Sequence, residues 1–141
     1  MKKIFIFLGI ILLLFSCSKK AVYPEAPADG DSVKIALVGI EEKKPVFFTF
    51  YDNGKGINYF VLKVNGDVRS YFDACARCYP KKLGYRSETE RIICRACDIG
   101  YHASDLKDGI GSCYPIKLEG RVEEDNYVIY KTDLLKGKKY F

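Results

Sequence analysis

The chain has 141 residues, of which 29% are charged and 48% are hydrophobic, and its formal net charge is +5 at pH 7. This length suffices for one small domain with a modest core. The mildly basic balance points to no particular partner, and we expect no nucleic-acid binding. The sequence contains no internal repeat, no heptad pattern and no Gly-rich phosphate loop.

The N-terminus has the pattern of an export signal. Two lysines precede an apolar run over residues 4–15, which is too short to span a bilayer as a helix. Ser16 then precedes Cys17, and this sequence resembles a bacterial lipobox, in which the cysteine becomes the acylated first residue of the mature protein. We therefore predict a lipoprotein signal peptide, in helical form, over residues 1–16 and lipid attachment at Cys17. The alternative is an ordinary signal peptide with Cys17 as a spare thiol.

This assignment places the mature protein in the bacterial cell envelope, outside the cytoplasm and anchored to a membrane by lipid. Residues 17–32 contain prolines, small residues and charges, so we predict a flexible tether there. Residues 33–141 are predicted to form the folded domain. A role for a cytosolic metal ribbon in transcription or translation is then nearly excluded.

The first half of this domain is predicted to be β-structure. Asn65 and Gly66 form the strongest hairpin signal, because both central residues of such a turn need positive φ. Alternating and aromatic-rich segments on either side predict strands. These segments cover residues 33–38, 46–51, 57–64 and 67–72.

The second half continues in the same way, with a predicted small hairpin that ends at a cysteine pair. We also expect one helical turn, a last strand pair, and a short helix capped by Thr132 and ended by Gly137. The predicted strands cover residues 84–87, 91–94, 116–122 and 127–130, and the helical turn covers 104–107. The predicted fold class is thus mostly β: a small antiparallel sheet domain with an inserted zinc-ribbon-like double knuckle.

Five cysteines carry the chemistry that the sequence indicates. They form two close pairs and a single residue: Cys75-x2-Cys78, Cys94-x2-Cys97 and Cys113. Two short knuckles that each offer two sulfurs are typical of a tetrahedral thiolate site. Cys113 is then a fifth ligand, a replacement ligand in one redox state, or a buried apolar residue.

Several motifs in chain order resemble the FtrD-like domain of bacterial membrane iron-sulfur-containing proteins. They are Phe72-Asp73-Ala74-Cys75-Ala76-Arg77-Cys78, Gly84-Tyr85, Cys94-Arg95-Ala96-Cys97, Gly111-Ser112-Cys113-Tyr114-Pro115 and the C-terminal residues 134–141. The resemblance extends over residues 33–141. It implies a membrane-associated protein with a metal or iron-sulfur centre in iron or copper handling, one that passes electrons to a permease system. The family cysteines correspond to all five cysteines above, although Tyr114 replaces the usual Asn after the last one.

The cysteine set leaves the bound species open. Four thiolates suit an iron-sulfur cluster, zinc or copper equally well. Cations around the knuckles would offset thiolate charge and lower thiol pKa values, although each of them is as well explained as solvated surface. These cations are Arg77, Lys81, Lys82, Arg86, Arg91 and Arg95. His102, the only histidine, is a weaker candidate ligand.

Three functions follow from these interpretations. The first is an accessory or electron carrier in iron or copper uptake, with a permease or a cupredoxin as partner. The second is a binding module for a membrane partner, in which the metal only staples the fold. The third is a thiol-disulfide exchange protein. We expect no enzyme, because no nucleophile with a neighbouring base or carboxylate pair stands out.

Overall fold

The computed structural model describes residues 20–107 and 113–141. Within these residues the chain forms short β-strands and one α-helix, in agreement with the predicted mostly-β class. The strands are β1 (Ala28–Asp29), β2 (Ser32–Ala36), β3 (Val46–Asp52), β4 (Lys55–Val64), β5 (Asp67–Cys75), β6 (Tyr85–Glu88), β7 (Arg91–Cys94), β8 (Gly100–His102), β9 (Pro115–Leu118), β10 (Arg121–Glu123) and β11 (Asn126–Tyr130). The helix α1 is Lys131–Lys136, and 3-10 helices cover Leu37–Gly39, Tyr79–Lys81, Ala103–Lys107 and Gly137–Tyr140. In the described part of the chain, no helix is long and apolar enough to cross a membrane.

The strands form three antiparallel sheets. The first has the order β1-β2-β11-β10, the second β3-β4-β5-β9 and the third β6-β7-β8. The hairpin between β4 and β5 turns at Asn65 and Gly66, whose φ values are 53° and 83°. This turn confirms the strongest local prediction from the sequence.

Strand β4 separates two apolar cores. Its residues alternate in direction, so that Tyr59 and Val61 lie in one core and Phe60 and Leu62 lie in the other. Nearly the whole strand is therefore buried on both faces. The second core holds Cys75, with Cys94 and Cys113, so the fold places sulfur against packed apolar side chains.

The predicted strand over residues 116–122 is in fact two strands. Strand β9 pairs with β5, whereas β10 pairs with β11 in a different sheet. The chain crosses between the sheets at Gly120, where an added Cβ would lie 2.6 Å from Cε1 of Tyr127. A side chain at this position would collide with the ring, so glycine permits the crossing.

The predicted cap of the last helix is wrong. The residue before the first turn is Tyr130, in an extended conformation and without a side-chain cap, and Thr132 lies inside the helix. The helix does end at Gly137, whose N–H bonds back to the carbonyl oxygens of Leu134 and Leu135. Buried Leu134 and Phe141 hold the helix against the first core, and this packing substitutes for a capping side chain.

The described part of the predicted tether contacts both large sheets: residues 21–24 bond to the second sheet, and residues 28–29 form β1 of the first. The N–H of Tyr23 donates to Thr49 Oγ1 (3.0 Å), and Asn58 Nδ2 donates to the Ala21 carbonyl (2.6 Å). Both Thr49 and Asn58 are buried, and Thr49 Oγ1 donates to Asn58 Oδ1 at 2.8 Å. The segment adds a donor to Thr49 Oγ1 and an acceptor for Asn58 Nδ2, so it completes this buried pair. The predicted signal peptide and Cys17 lie outside the described residues.

Candidate metal centre

The two predicted knuckles begin at the ends of strands. Cys75 is the last residue of β5, and Cys94 is the last residue of β7. After each strand the chain turns sharply and presents the second cysteine of the pair. In the first knuckle the Cys78 N–H points at Cys75 Sγ, 3.4 Å away.

Backbone hydrogen bonds close the second knuckle. The N–H of Asp98 donates to the Cys94 carbonyl, and the N–H of Cys94 donates to the Ile99 carbonyl, both at 2.9 Å. Asp98 has a φ of 60°, which lets the chain reverse and begin β8. Arg86 contacts the Asp98 carboxylate at 2.8 Å, so one of the predicted cations holds this turn through an ion pair.

The structure brings all five predicted cysteines to one place. Four of their sulfur atoms lie within 4.8 Å of one another, those of Cys75, Cys78, Cys94 and Cys113. The sulfur of Cys97 lies 2.8 Å from that of Cys113, and the sulfur of Cys78 lies 3.5 Å from it. The two knuckles therefore meet, and Cys113 is a member of the compact group.

Cys113 reaches this group because two segments hold its backbone. The hydroxyl of Tyr85 donates to the Cys113 carbonyl at 2.8 Å. The N–H of Ala76, inside the first knuckle, donates to the Tyr114 carbonyl at 3.0 Å. The fifth cysteine is thus tied to the first knuckle and to Tyr85 of β6, which pairs with Cys94.

A buried hydrogen-bond network around Asp73 supports the site and was not expected from the sequence. Asp73 lies two residues before Cys75 on the same face of β5, and it accepts a hydrogen bond from the Tyr85 N–H at 2.6 Å. The carbonyl of Tyr85 in turn accepts a bond from Arg95 Nε at 2.9 Å, beside the second knuckle. A charged residue in an otherwise apolar strand end was the available sequence signal.

Gly84 leaves the space that the Asp73 carboxylate needs to reach the Tyr85 N–H. Its φ is +66°, and an added Cβ would overlap the Asp73 carboxylate. Only glycine tolerates both the backbone conformation and the close approach. The pair Gly84-Tyr85, which was part of the resemblance, therefore has a structural role beside the cysteines.

Burial dominates the electrostatics of the site. It raises the pKa of Asp73 to about 7 and the pKa of Cys94 to about 12. Burial and the neighbouring Cys97 sulfur also raise the pKa of Cys113 well above its ordinary value. For Cys75, burial is outweighed by hydrogen bonds from the Cys78 N–H and from Cys113, so its pKa is lowered.

The raised thiol pKa values of Cys94 and Cys113 are consistent with a metal-binding site before it takes up a metal ion. Without one, Cys94 and Cys113 are protonated at neutral pH. A bound metal ion favours thiolates and releases those protons. The donor set consists of soft sulfur atoms, which suit zinc, Cu(I) or iron-sulfur centres.

One side of the sulfur group opens to solvent. A cleft of about 400 Å³ is lined by the three sulfur-bearing residues Cys78, Cys97 and Cys113 together with neighbouring side chains. Among these neighbours are the exposed Lys81 and Ile99. Cys78 and Cys97 are half-buried, whereas the other three cysteines are buried.

His102 lies outside the sulfur group. Its Nδ1 is 3.1 Å from Ser104 Oγ, and its Nε2 is 3.4 Å from a carboxylate oxygen of Glu90. Both ring nitrogens thus face other partners.

A model of the family described as "Membrane iron-sulfur containing protein FtrD-like" matches residues 40–141. The chain belongs to the FtrD-like family. This result confirms the resemblance drawn from the cysteine motifs, and it associates the chain with membranes and with iron. The FtrD-like chain matches no curated protein sequence.

Three larger solved structures match the chain in part. Two carbazole-bound oxygenase and ferredoxin complexes of carbazole 1,9a-dioxygenase match with TM-scores of 0.44 and 0.45, and the reduced complex of the same oxygenase and ferredoxin matches with 0.44. Each match has 15% sequence identity and covers 77% of the FtrD-like chain. The chain spans 29% of the length of those chains.

Proposed function

We propose that this FtrD-like protein binds a metal ion or an iron-sulfur centre through its clustered cysteines and serves as an accessory or electron carrier in iron or copper uptake. The observation that supports this most directly is the convergence of four sulfur atoms within 4.8 Å. The residues that would hold the centre are Cys75, Cys78, Cys94 and Cys113. Cys97 lies beside them as a further thiol.

The spacing of the sulfur atoms favours a compact centre. Four thiolates on one tetrahedral ion, with bonds of about 2.3 Å, stand about 3.8 Å apart. The spread of up to 4.8 Å is close to that separation. The family description favours iron and sulfur. A cluster would require some of the sulfurs to move further apart, because its thiolates are divided among two or more irons. In either case the ligand set differs from that of a zinc ribbon, because Cys113 takes the place of the second cysteine of the second knuckle.

The same proposal places the protein in the bacterial cell envelope. A signal peptide over residues 1–16 and a lipid on Cys17 would anchor it outside the cytoplasm, in keeping with the membrane-associated family. A permease or a cupredoxin would receive or supply the metal or the electron. We propose no enzymatic role, because the chemistry of the site consists of sulfur ligands.

Metal analysis of the full-length chain, purified in detergent and in the presence of reductant, tests the proposal. Iron with acid-labile sulfide and visible absorption would identify a cluster, whereas one colourless zinc or one copper per chain would identify a single ion. Reduced protein that neither contains metal nor takes up zinc, copper or iron would refute the metal-binding function.

The Cys94→Ser variant tests the ligand set. Cys94 is buried among the sulfurs, so the variant should lose most of its metal and unfold at lower denaturant concentration. Ser87→Ala is a matched control, because Ser87 is an exposed residue of the same hairpin. A Cys94→Ser protein with the metal content and stability of the control would remove Cys94 from the site.

A further inference from the structure

The sulfurs of Cys97 and Cys113 are closer than two ligands of one metal ion. They lie 2.8 Å apart. Two thiolates on a single tetrahedral ion would be about 3.8 Å apart, and a disulfide bond is about 2.05 Å long. An approach of about 0.8 Å therefore separates this pair from bonding distance.

Cys113 belongs to two arrangements at once. It is one of the four sulfurs that lie within 4.8 Å of one another, and it is also the neighbour of Cys97. A sulfur in a disulfide has no thiolate to offer a metal ion. The two arrangements thus exclude each other, and the state of Cys113 decides which one exists.

We propose that Cys97 and Cys113 form a reversible disulfide that withdraws Cys113 from the metal centre and releases the metal. This inference rests on the proposed function, since it assigns a redox control to the same site. Cys97, which lies outside the compact group of four sulfurs, then has a role that a four-ligand centre alone does not give it.

The oxidant is a small disulfide, RSSR, such as oxidised glutathione. The Cys97 sulfur attacks one sulfur of RSSR, which breaks that S–S bond, forms a mixed disulfide and releases the first RS⁻. The Cys113 sulfur then attacks the Cys97 sulfur and displaces the second RS⁻. The Cys97 proton ends on one RS⁻. Cys113 is a thiolate in the metal-loaded protein, so the second RS⁻ takes its proton from the solvent. Two protein sulfurs are thus oxidised, and RSSR is reduced to two RSH.

The order of these steps follows from accessibility. Both cysteines line the open cleft, but Cys97 is half-buried, whereas Cys113 is buried. The exposed ammonium of Lys81 in the same cleft favours an anionic oxidant such as oxidised glutathione. The hydroxyl of Tyr85 holds the Cys113 backbone, so the step needs mainly a movement of the two side chains.

The chain offers a direct way to identify the pair. Trypsin cleaves after lysine and arginine, and such residues separate all five cysteines. The resulting peptides cover residues 70–77, 78–81, 92–95, 96–107 and 108–117, with one cysteine in each. Mass spectrometry of blocked, non-reduced digests therefore distinguishes every cross-link by the two peptides that it joins.

The experiment treats the full-length chain, loaded with zinc under reducing conditions and then freed of reductant, with oxidised glutathione. Zinc release is followed with a chromophoric chelator. We expect release in step with a cross-link between peptides 96–107 and 108–117, and uptake again after addition of dithiothreitol. A different cross-link as the main product, or this cross-link without loss of zinc, would overturn the inference.

Two variants separate the pair from the ligands. Cys97→Ser keeps the four clustered sulfurs, so it should bind zinc and lose it about tenfold more slowly in oxidant. Cys78→Ser lacks one clustered sulfur but keeps the pair, so it should bind zinc weakly and still form the same cross-link. Oxidant-driven zinc loss from Cys97→Ser at the parental rate would refute the switch.

The same experiment shows separately whether the proposed metal-binding function itself fails. In that case the reduced parent would bind no zinc at the first step, and the release mechanism would fail with it. The cross-link assay on the same metal-free protein would still decide whether Cys97 and Cys113 are the reactive pair.

Discussion

Asp73 makes the stability of this protein depend on pH in a direction opposite to that of most carboxylates. Burial raises its pKa from an ordinary value of 3.8 to about 7, against the opposing effects of the Tyr85 N–H and the charge of Arg95. The folded state therefore binds the proton more tightly than the unfolded state. The contribution of Asp73 is fully favourable below about pH 4, where both states are protonated, and declines as pH rises through about 7.

The magnitude follows from the shift. A change of about three pKa units corresponds to about 4 kcal/mol across the whole range, and about 3 kcal/mol of this falls between pH 5 and pH 8. Asp73 is almost fully buried, so solvent screening does little to reduce this value. Asp73→Asn removes the titration and keeps an oxygen that can accept from the Tyr85 N–H.

The assay is urea denaturation of metal-free, reduced parent and Asp73→Asn proteins at pH 5 and pH 8. The difference in unfolding free energy between the two proteins should change by about 3 kcal/mol, in the sense that Asp73→Asn gains relative to the parent at pH 8. Other titrating groups are common to both proteins and cancel in this comparison. A difference that is the same at both pH values would show that the carboxyl group is not held in the neutral form by burial.

Three tyrosine hydroxyls give further tests by denaturation and zinc release. Tyr85→Phe removes the bond to the Cys113 carbonyl and should cost about 1–3 kcal/mol and speed metal release. Tyr127→Phe is the matched control, because it removes a buried hydrogen bond to Ser70 that lies away from the sulfurs. It should lower stability without changing the rate of metal release. Equal release rates in the two variants would contradict the role of Tyr85. The Tyr59 hydroxyl is buried with no partner among the described residues, so Tyr59→Phe should leave stability unchanged or raise it by about 1 kcal/mol, and a clear loss would show a missed partner.

The features predicted well from the sequence are local ones. Asn65 and Gly66 determine their own turn, and the alternating residues around them determine the two strands. The cysteine pairs were also informative, because a C-x2-C spacing at a strand end forces both sulfurs to one side of a turn. Their convergence needed only the antiparallel sheets to bring the ends of β5 and β7 together.

The features that were missed depend on contacts between distant residues. Nothing in the neighbourhood of Asp73 shows that Tyr85 will donate to it, since the contact forms only when β6 lies beside the end of β5. The division of residues 116–122 between two sheets depends in the same way on Tyr127, which packs against Gly120. The C-x2-C spacing predicted Cys97 as the fourth member beside Cys75, Cys78 and Cys94, whereas the compact group contains Cys113 in its place. Spacing could not show this, because the position of Cys113 depends on how β9 approaches β5.

The way each sulfur is held explains why Cys113 is the one able to change partners. Cys75 pairs with Pro115 of β9 and Cys94 pairs with Tyr85 of β6, so their positions follow from the sheets. Cys113 instead precedes β9 and is fixed by the Tyr85 hydroxyl and by the bond between Ala76 and its neighbour Tyr114. Cys113 can therefore shift from the metal centre towards Cys97 without disturbing a strand pair. The same shift at Cys75 or Cys94 would disturb the pairing of the strand that each of them ends.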